Sequence, residues 1–155
     1  MATPPESERR KPRPASVPFE DILAAFQRDQ DRHMNSGPST QSELGHLEAG
    51  LGAPLPALLR AFLTRFGGGI FYNGHEIFGP TRCMVHDIEL VPDLLSVRQW
   101  LREDKALAEG LVPLHRARGV VHLIDLRRGS VVSLEGGEPH PDLAAFLENV
   151  VLPRR

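Results

Sequence analysis

The sequence predicts an α+β domain in which an antiparallel, or in part mixed, sheet of about five or six strands is covered by helices. The apolar patterns come in blocks: three helices, a hairpin, a helix, further strands and a last helix. A doubly wound sheet would instead alternate strands and helices strictly. The chain has 155 residues, 41% hydrophobic and 25% charged, which suits one soluble core. We therefore expect one folded domain over residues 17–155.

The first sixteen residues differ from the rest in composition. Residues 1–16 hold four prolines and four basic side chains, with alanine and the first methionine as their apolar content. Such a segment buries too little apolar surface to offset the entropy lost on ordering. It is predicted to be a flexible basic tail.

Helical spacing of apolar residues places three helices in the first half of the chain. The first is predicted from Pro18 to about Asp31. Residues 40–43 read Thr-Gln-Ser-Glu, which is a capping box that begins a second helix, and Gly52 can end it in the left-handed conformation. A third helix over residues 55–66 precedes three glycines.

The second half of the chain alternates strand and helix signals. Residues 70–72 and 76–78 predict a hairpin around an Asn73-Gly74-His75 turn. Asp93 is expected to cap a fourth helix, followed by a charged connector at residues 105–110. The remaining predicted elements are strands at 111–115, 120–126 and 130–134 and a closing helix that starts at Pro141-Asp142 and ends at Pro153.

Charge and cysteine content exclude several classes of function. Lys and Arg total 18 against 20 Asp and Glu, a net charge of -2, which argues against direct nucleic-acid binding. Cys83 is the sole cysteine, so an internal disulfide and a multi-cysteine zinc site are excluded. The sequence has neither an apolar run long enough for a membrane helix nor a signal-peptide pattern. We expect a cytoplasmic protein without membrane attachment.

The glycine and proline motifs resemble those of a known family. Leu51-Gly52, Leu55-Pro56 and Gly67-Gly68 stand at the spacings that open the SUKH superfamily, the Smi/Knr-like proteins. Later landmarks agree in order: Ile77-Phe78-Gly79, and residues 111–114, which read Leu-Val-Pro-Leu. One landmark differs, because family members often carry a Gly-Asp pair where this chain has Arg118-Gly119-Val120.

The resemblance implies a six-stranded or similar α+β domain without catalytic residues. Most bacterial members resemble immunity proteins that neutralise a cognate secreted toxin, often a nuclease or a deaminase. Fungal relatives act as regulatory scaffolds. The resemblance therefore predicts an immunity protein whose partner is a protein toxin, with a regulatory scaffold as the alternative.

The histidines allow a catalytic, a metal-binding or a structural interpretation. His75, Cys83 and His86 offer nitrogen and sulfur ligands, but the spacing does not indicate a third and fourth ligand for zinc. His115, His122 and Asp125 allow a base with an orienting carboxylate, yet a nucleophile motif is lacking. We expect half-buried sheet residues there, and neither enzymatic activity, a metal nor a cofactor.

The predicted toxin-binding face joins the hairpin to the turn before the last helix. Its hairpin members are Tyr72, Asn73 and His75, and its acidic members are Glu135, Glu138 and Asp142. Carboxylates there would attract the basic surface of a toxin that acts on nucleic acid. Trp100 is expected to be buried beside Leu101, and open sheet edges allow a monomer or a weak homodimer.

Overall fold

The helices follow the predicted order in a computed structural model that describes residues 12–104 and 107–153. The last helix continues beyond its α-helical part as one π-helical turn, Leu147–Val151. A 3₁₀ turn, Gln30–Arg32, follows the first helix. The α-helices are α1 (Phe19–Arg28), α2 (Gln41–Leu51), α3 (Ala57–Phe66), α4 (Leu94–Asp104) and α5 (Leu143–Phe146). No helix among the described residues is long and apolar enough to cross a membrane.

The strands form an antiparallel sheet, which confirms the predicted α+β class. The described residues give a six-stranded sheet in the order β1-β2-β3-β6-β7-β8 and a separate pair, β4 and β5. Every pairing is antiparallel. The strands are β1 (Met34–Asn35), β2 (Gly69–Phe71), β3 (His75–Ile77), β4 (Cys83–Val85), β5 (Ile88–Val91), β6 (Leu111–Ala117), β7 (Val120–Asp125) and β8 (Val131–Ser133).

The helix ends are fixed by the side chains that the sequence indicated. Thr40 accepts a hydrogen bond from the Glu43 amide at 3.1 Å, and the Glu43 carboxylate accepts one from the Thr40 amide at 2.8 Å. Gly52 ends α2 with a φ of 73°. Asp93 accepts from the Ser96 amide at the start of α4. The local capping rules therefore hold at these ends.

The core is built on aromatic side chains from α1, α3 and β2. The Phe26 and Phe62 rings meet edge to face at 5.3 Å, and Phe71 lies 5.6 Å from Phe26. All three are buried. Edge-to-face contact of buried rings fixes how the first and third helices lie on the sheet.

Three short strands and the hairpin register differ from the expectations. His75 lies in β3 opposite Phe71, so the loop is Tyr72–Gly74 and not residues 73–75. The strands β1, β4 and β5 were not predicted, because two to four residues carry too little periodicity to be recognised. Residues 105–106 of the predicted connector lie outside the described residues.

Residues 12–16 lie against the domain, whereas a flexible tail was predicted to residue 16. The Ser16 amide and hydroxyl both donate to the Glu148 carboxylate, at 2.9 and 2.8 Å. Asn149 donates to the Arg13 carbonyl at 3.0 Å, and Ala15 packs on the core. These partners are more than 130 positions away in sequence, so local composition gave no sign of them. Residues 1–11 lie outside the described residues.

Trp100 is exposed, and its expected burial is wrong. Its exposed fraction is 52%, while Leu94 and Val97 on the same helix are buried. The helical spacing puts Trp100 at the edge of the face that these residues form. A bulky ring at that edge remains largely in solvent.

Candidate binding site

A cavity of about 970 Å³ lies beside the turn that joins β6 to β7. Its walls come from the segment at residues 12–16, the hairpin at 72–75 and the turn at 117–120. His140 and the last residues, 148–153, complete them. The site therefore combines segments that are far apart in sequence.

Four histidines, His75, His115, His122 and His140, follow one another across the wall of this cavity, and we call them the histidine row. His115 pairs with Ile77, so His115 and His75 project from the same face of the sheet. His122 lies directly opposite His115 on β7. His140 continues the row through a bridge to Val131 on β8. The sheet register alone aligns the four imidazoles.

Three members of the histidine row are joined by hydrogen bonds. His75 Nδ1 lies 2.9 Å from His115 Nε2, and His115 Nδ1 lies 3.3 Å from His122 Nδ1. A neutral imidazole has one donor and one acceptor nitrogen, so His115 donates to one neighbour and accepts from the other. Two tautomer patterns satisfy these two hydrogen bonds, and they differ in which ring nitrogen of His75 carries the proton.

Burial keeps the histidine row neutral at pH 7. Phe146 packs on His115, His122 and His140, with ring centroids 5.0, 4.8 and 5.3 Å away. Burial, then the neighbouring imidazoles His122 and His75, lowers the pKa of His115 to about 3. Burial and the neighbouring histidines also lower the pKa of His122 to about 4. The Nδ1 atom of His140 is buried without a hydrogen-bond partner in the described part of the chain.

A fifth histidine, His33, holds the hairpin loop in place. Its Nδ1 accepts a hydrogen bond from the Tyr72 amide at 3.2 Å, and its Nε2 lies 3.0 Å from the Phe26 carbonyl. The first bond needs an unprotonated Nδ1, so Nε2 carries the proton and donates to Phe26. The Tyr72 hydroxyl donates to Asp29 at 2.8 Å, and the ring is 8% exposed. Tyr72 of the predicted face is thus held inside the fold.

The mouth of the cavity carries positive charge. Among the described residues, three exposed arginines, Arg13, Arg32 and Arg118, line it together with one acidic residue, Glu148. The Glu148 carboxylate is bonded to Ser16, and none of the three guanidinium groups forms an ion pair with a carboxylate of the described residues. The hairpin half of the predicted face therefore lies in a positively charged setting.

Arg118 occupies a backbone position that arginine rarely adopts. Arg118 and Gly119 form the two-residue loop between β6 and β7, with φ values of 52° and 78°. Such a turn favours Asn or Gly at its first position. The charge of Arg118 contributes, after burial, to the lowered pKa of His75. The guanidinium on this strained turn therefore disfavours protonation of His75.

The acidic half of the predicted face forms an exposed loop next to the cavity. Glu135 and Glu138 are exposed in the loop that follows β8. His140, which lines the cavity, lies between Glu138 and Asp142 in the chain. Asp142 is half-buried and caps α5 by accepting from the Ala145 amide at 2.8 Å. We call residues 135–142 the acidic loop.

The other candidate groups have structural partners. The Asp125 carboxylate accepts hydrogen bonds from the Arg127 and Arg128 amides, so it shapes a turn and orients neither His115 nor His122. Cys83 is buried and its thiol donates to the Met34 carbonyl, while His86 is exposed in the β4–β5 turn. Residues 12–104 and 107–153 contain no group of three ligand side chains arranged for a metal ion.

The described elements form a small α+β domain with an arginine-rimmed cavity that borders an acidic loop. The chain belongs to the SMI1/KNR4 family (SUKH-1), whose profile matches residues 38–149. This match confirms the resemblance that the glycine and proline motifs indicated. No curated protein matches the chain.

Sequence reasoning missed His33, His140, Arg32 and the charge of the rim. His115 and His122 were expected to be half-buried sheet residues, and they are buried and partly buried in β6 and β7. The histidine row could have been predicted from the sequence, because His115 and His122 occupy strand positions where the alternation of side chains predicts an inward apolar residue. Arg32 gave no such signal, because only the 3₁₀ turn brings it to 4.8 Å above the Tyr72 ring.

Replacing Asp142 with alanine is expected to lower the free energy of unfolding by about 1 kcal/mol, because α5 loses its capping oxygen. Asn retains an acceptor in the same place, so Asp142→Asn serves as the matched control and should stay near the parent value. Urea unfolding curves measure both. Equal losses in the two variants would show that the charge, and not the cap, matters for stability.

Proposed function

We propose that this protein is an immunity protein that binds and neutralises a cognate bacterial toxin by covering its active or substrate-binding surface. The family match over residues 38–149 supports this class of function. The observation that carries the proposal is the junction of two charged features at His140: the exposed acidic loop and the arginine-rimmed cavity. Side chains presented in this way suit recognition of a protein surface.

The binding face in this proposal consists of the acidic loop, Asn73 and the mouth of the cavity. Asn73 is exposed at the tip of the hairpin, and His75 lines the cavity wall. Tyr72 contributes by fixing the hairpin through Asp29 and not as an exposed anchor. The toxin would meet carboxylates on the loop and hydrogen-bonding groups at the cavity.

The mechanism in this proposal is steric cover with charge complementarity, and not catalysis. The ring nitrogens of His115 both face neighbouring imidazoles, which leaves neither for a substrate. A toxin that acts on nucleic acid, by cleavage or deamination, needs a basic surface. The acidic loop would attract that surface in the cytoplasm of the producing cell and exclude its substrate.

The decisive experiment pairs this chain with the C-terminal module of a large secreted protein, sought among the products of the neighbouring genes and shown to be toxic when expressed alone. Co-expression should restore growth of cells that produce the module, and the two proteins should co-purify as a stable complex. Without rescue and without a complex, the immunity function is wrong. Recovery of several weakly bound housekeeping proteins instead would favour the regulatory scaffold.

Charge reversal of the acidic loop is expected to slow association with that toxin module about tenfold at low salt, because charged rims act mainly on the association rate. The variant combines Glu135→Lys and Glu138→Lys with Asp142→Asn, which keeps the helix cap. Surface plasmon resonance at two salt concentrations gives the rates.

A matched control for this variant reverses Glu103 and Glu109, which are exposed and lie outside the cavity and the acidic loop. Glu103→Lys with Glu109→Lys alters the overall charge by a similar amount. Equal slowing in both variants would show a general charge effect and would remove the acidic loop from the interface.

A further inference from the structure

We propose that the arginine-rimmed cavity binds an acidic segment of the protein partner, one that presents two or more carboxylates to Arg32 and Arg118. This inference rests on the proposed function, because it specifies the chemistry of the partner surface that enters the cavity. The partner would then be basic where it meets the acidic loop and acidic where it enters the cavity.

The charge of the rim favours an acidic occupant. Three guanidinium groups line the cavity, and the nearby carboxylates of Glu148 and Asp29 are already bonded to Ser16 and Tyr72. Guanidinium groups bind carboxylates through paired, charge-assisted hydrogen bonds. A carboxylate from the partner would supply the ion pairs that the described residues do not.

The backbone conformation of Arg118 also indicates a binding role for its side chain. A non-glycine residue with a φ of 52° in a two-residue turn is strained, and Asn would fit this position better. Strain of this kind is typically kept at functional sites. The side chain that the strained position presents is a guanidinium at the cavity mouth.

The interior of the cavity adds hydrogen-bond donors to the charge of the rim. Either tautomer pattern of the bonded histidines leaves one outer ring nitrogen of the chain as a donor, at His75 or at His122. Asn73 and His75 belong to the same wall, and Val120 and Leu152 add apolar surface. This mixture suits the side chains and backbone of a peptide segment.

The same features argue against a nucleic acid as the occupant. A polyanion that entered the cavity would also lie near Glu135 and Glu138, which carry like charge and are exposed. The net charge of the chain is -2, which adds to that repulsion. A short acidic segment on a protein avoids this conflict, because the surrounding partner surface can be basic.

The test uses a synthetic peptide, acetyl-Ser-Asp-Glu-Asp-Glu-Ser-amide, with the uncharged acetyl-Ser-Asn-Gln-Asn-Gln-Ser-amide as its match. We expect the acidic peptide to shift the amide resonances of Asn73 and Arg118 and the imidazole resonances of His75 in saturable NMR titrations of the full chain. The uncharged peptide and inorganic phosphate should leave them in place. If phosphate shifts them equally, the cavity is a simple anion site and the proposal is wrong.

Two variants separate binding from folding. Arg118→Asn should raise the melting temperature, because Asn-Gly suits the turn, and should weaken the acidic peptide about tenfold. Arg32→Gln should weaken it by a similar factor. The control, Arg127→Gln with Arg128→Gln, removes two exposed arginines that do not line the cavity and should bind as the parent does. Unchanged affinity in Arg32→Gln and Arg118→Asn would overturn the proposal.

The outcome for the toxin distinguishes this inference from the proposed function. If the chain protects cells from the toxin module while the acidic peptide fails to bind, the acidic segment is wrong and the immunity function stands. If the peptide binds at the cavity but the chain gives no protection, the site stands and the immunity function is wrong.

Discussion

Acidification from pH 7 to pH 5 is expected to lower the free energy of unfolding by about 2 kcal/mol through His115 alone. Its imidazole is fully buried, and its pKa falls from 6.5 to about 3 in the folded protein. Below pH 6.5 the imidazole of His115 binds a proton in the unfolded chain but stays neutral in the folded chain. The contribution of His115 to the free energy of unfolding is therefore fully present above pH 6.5 and is lost as the pH falls toward 3.

Other groups around the histidine row act in the same direction. Burial lowers the pKa of His75, His122 and His140 as well. The aromatic ring of Phe146 covers the row, and Arg118 is the charged group that acts on it at His75. No carboxylate of the described residues raises the pKa of these four histidines by stabilising the imidazolium. Protonation of the row is thus opposed by burial and by mutual repulsion.

Urea unfolding of the parent and of His115→Phe at pH 7, 6 and 5 measures this effect. The variant loses two hydrogen bonds and is expected to be less stable at pH 7, but its stability should depend less steeply on pH. His86→Asn is the control, because His86 is exposed in a turn at a φ of 49° that Asn tolerates. Identical pH slopes in the parent and in His115→Phe would contradict the assignment.

The substitution Gly68→Ala is expected to lower the free energy of unfolding by about 3 kcal/mol. A Cβ atom on Gly68 would lie 2.6 Å from the Gly79 amide nitrogen and 2.8 Å from the Ile77 carbonyl oxygen. Both obstacles are backbone atoms on the segment that pairs with β2, so neither can rotate away. The sheet would have to open where β2 and β3 begin to pair.

Gly45→Ala is the matched control for this prediction. Gly45 lies within α2, and an added Cβ meets no atom within 4 Å. The same chemical change should therefore stabilise the protein by about 0.5–1 kcal/mol, because alanine favours the helix. Calorimetric unfolding of both variants compares them directly. A Gly68→Ala protein as stable as the parent would show that the two backbones can separate at little cost.

The glycine motif could be interpreted from sequence because its requirement is local and steric. Glycine at positions 67 and 68 permits a positive φ or the close approach of another strand. Gly67 has a φ of 66°, and Gly68 approaches the backbone of Gly79. The identity of the approaching strand was not predictable, since Gly79 becomes a neighbour only when β2 and β3 pair.

The candidate site depended far more on tertiary structure. The face proposed from sequence joins the hairpin to the acidic loop. Of its six residues, only Asn73, Glu135 and Glu138 are exposed. Tyr72 is buried, and the Asp142 carboxylate caps α5 by accepting from the Ala145 amide. Composition gave the overall charge but not its distribution, so the arginine rim went unnoticed.

The sequence by itself determined the order of the helices, the capped ends of α2 and α4, the fold class and the family, because capping, steric and periodic constraints act between residues close in the chain. Tertiary structure alone decided the histidine row, the packing of residues 12–16 and the separation of positive rim from acidic loop. These features arise where strand register and chain crossings bring distant residues together. Long-range proximity of this kind changes charge and burial without leaving a local pattern.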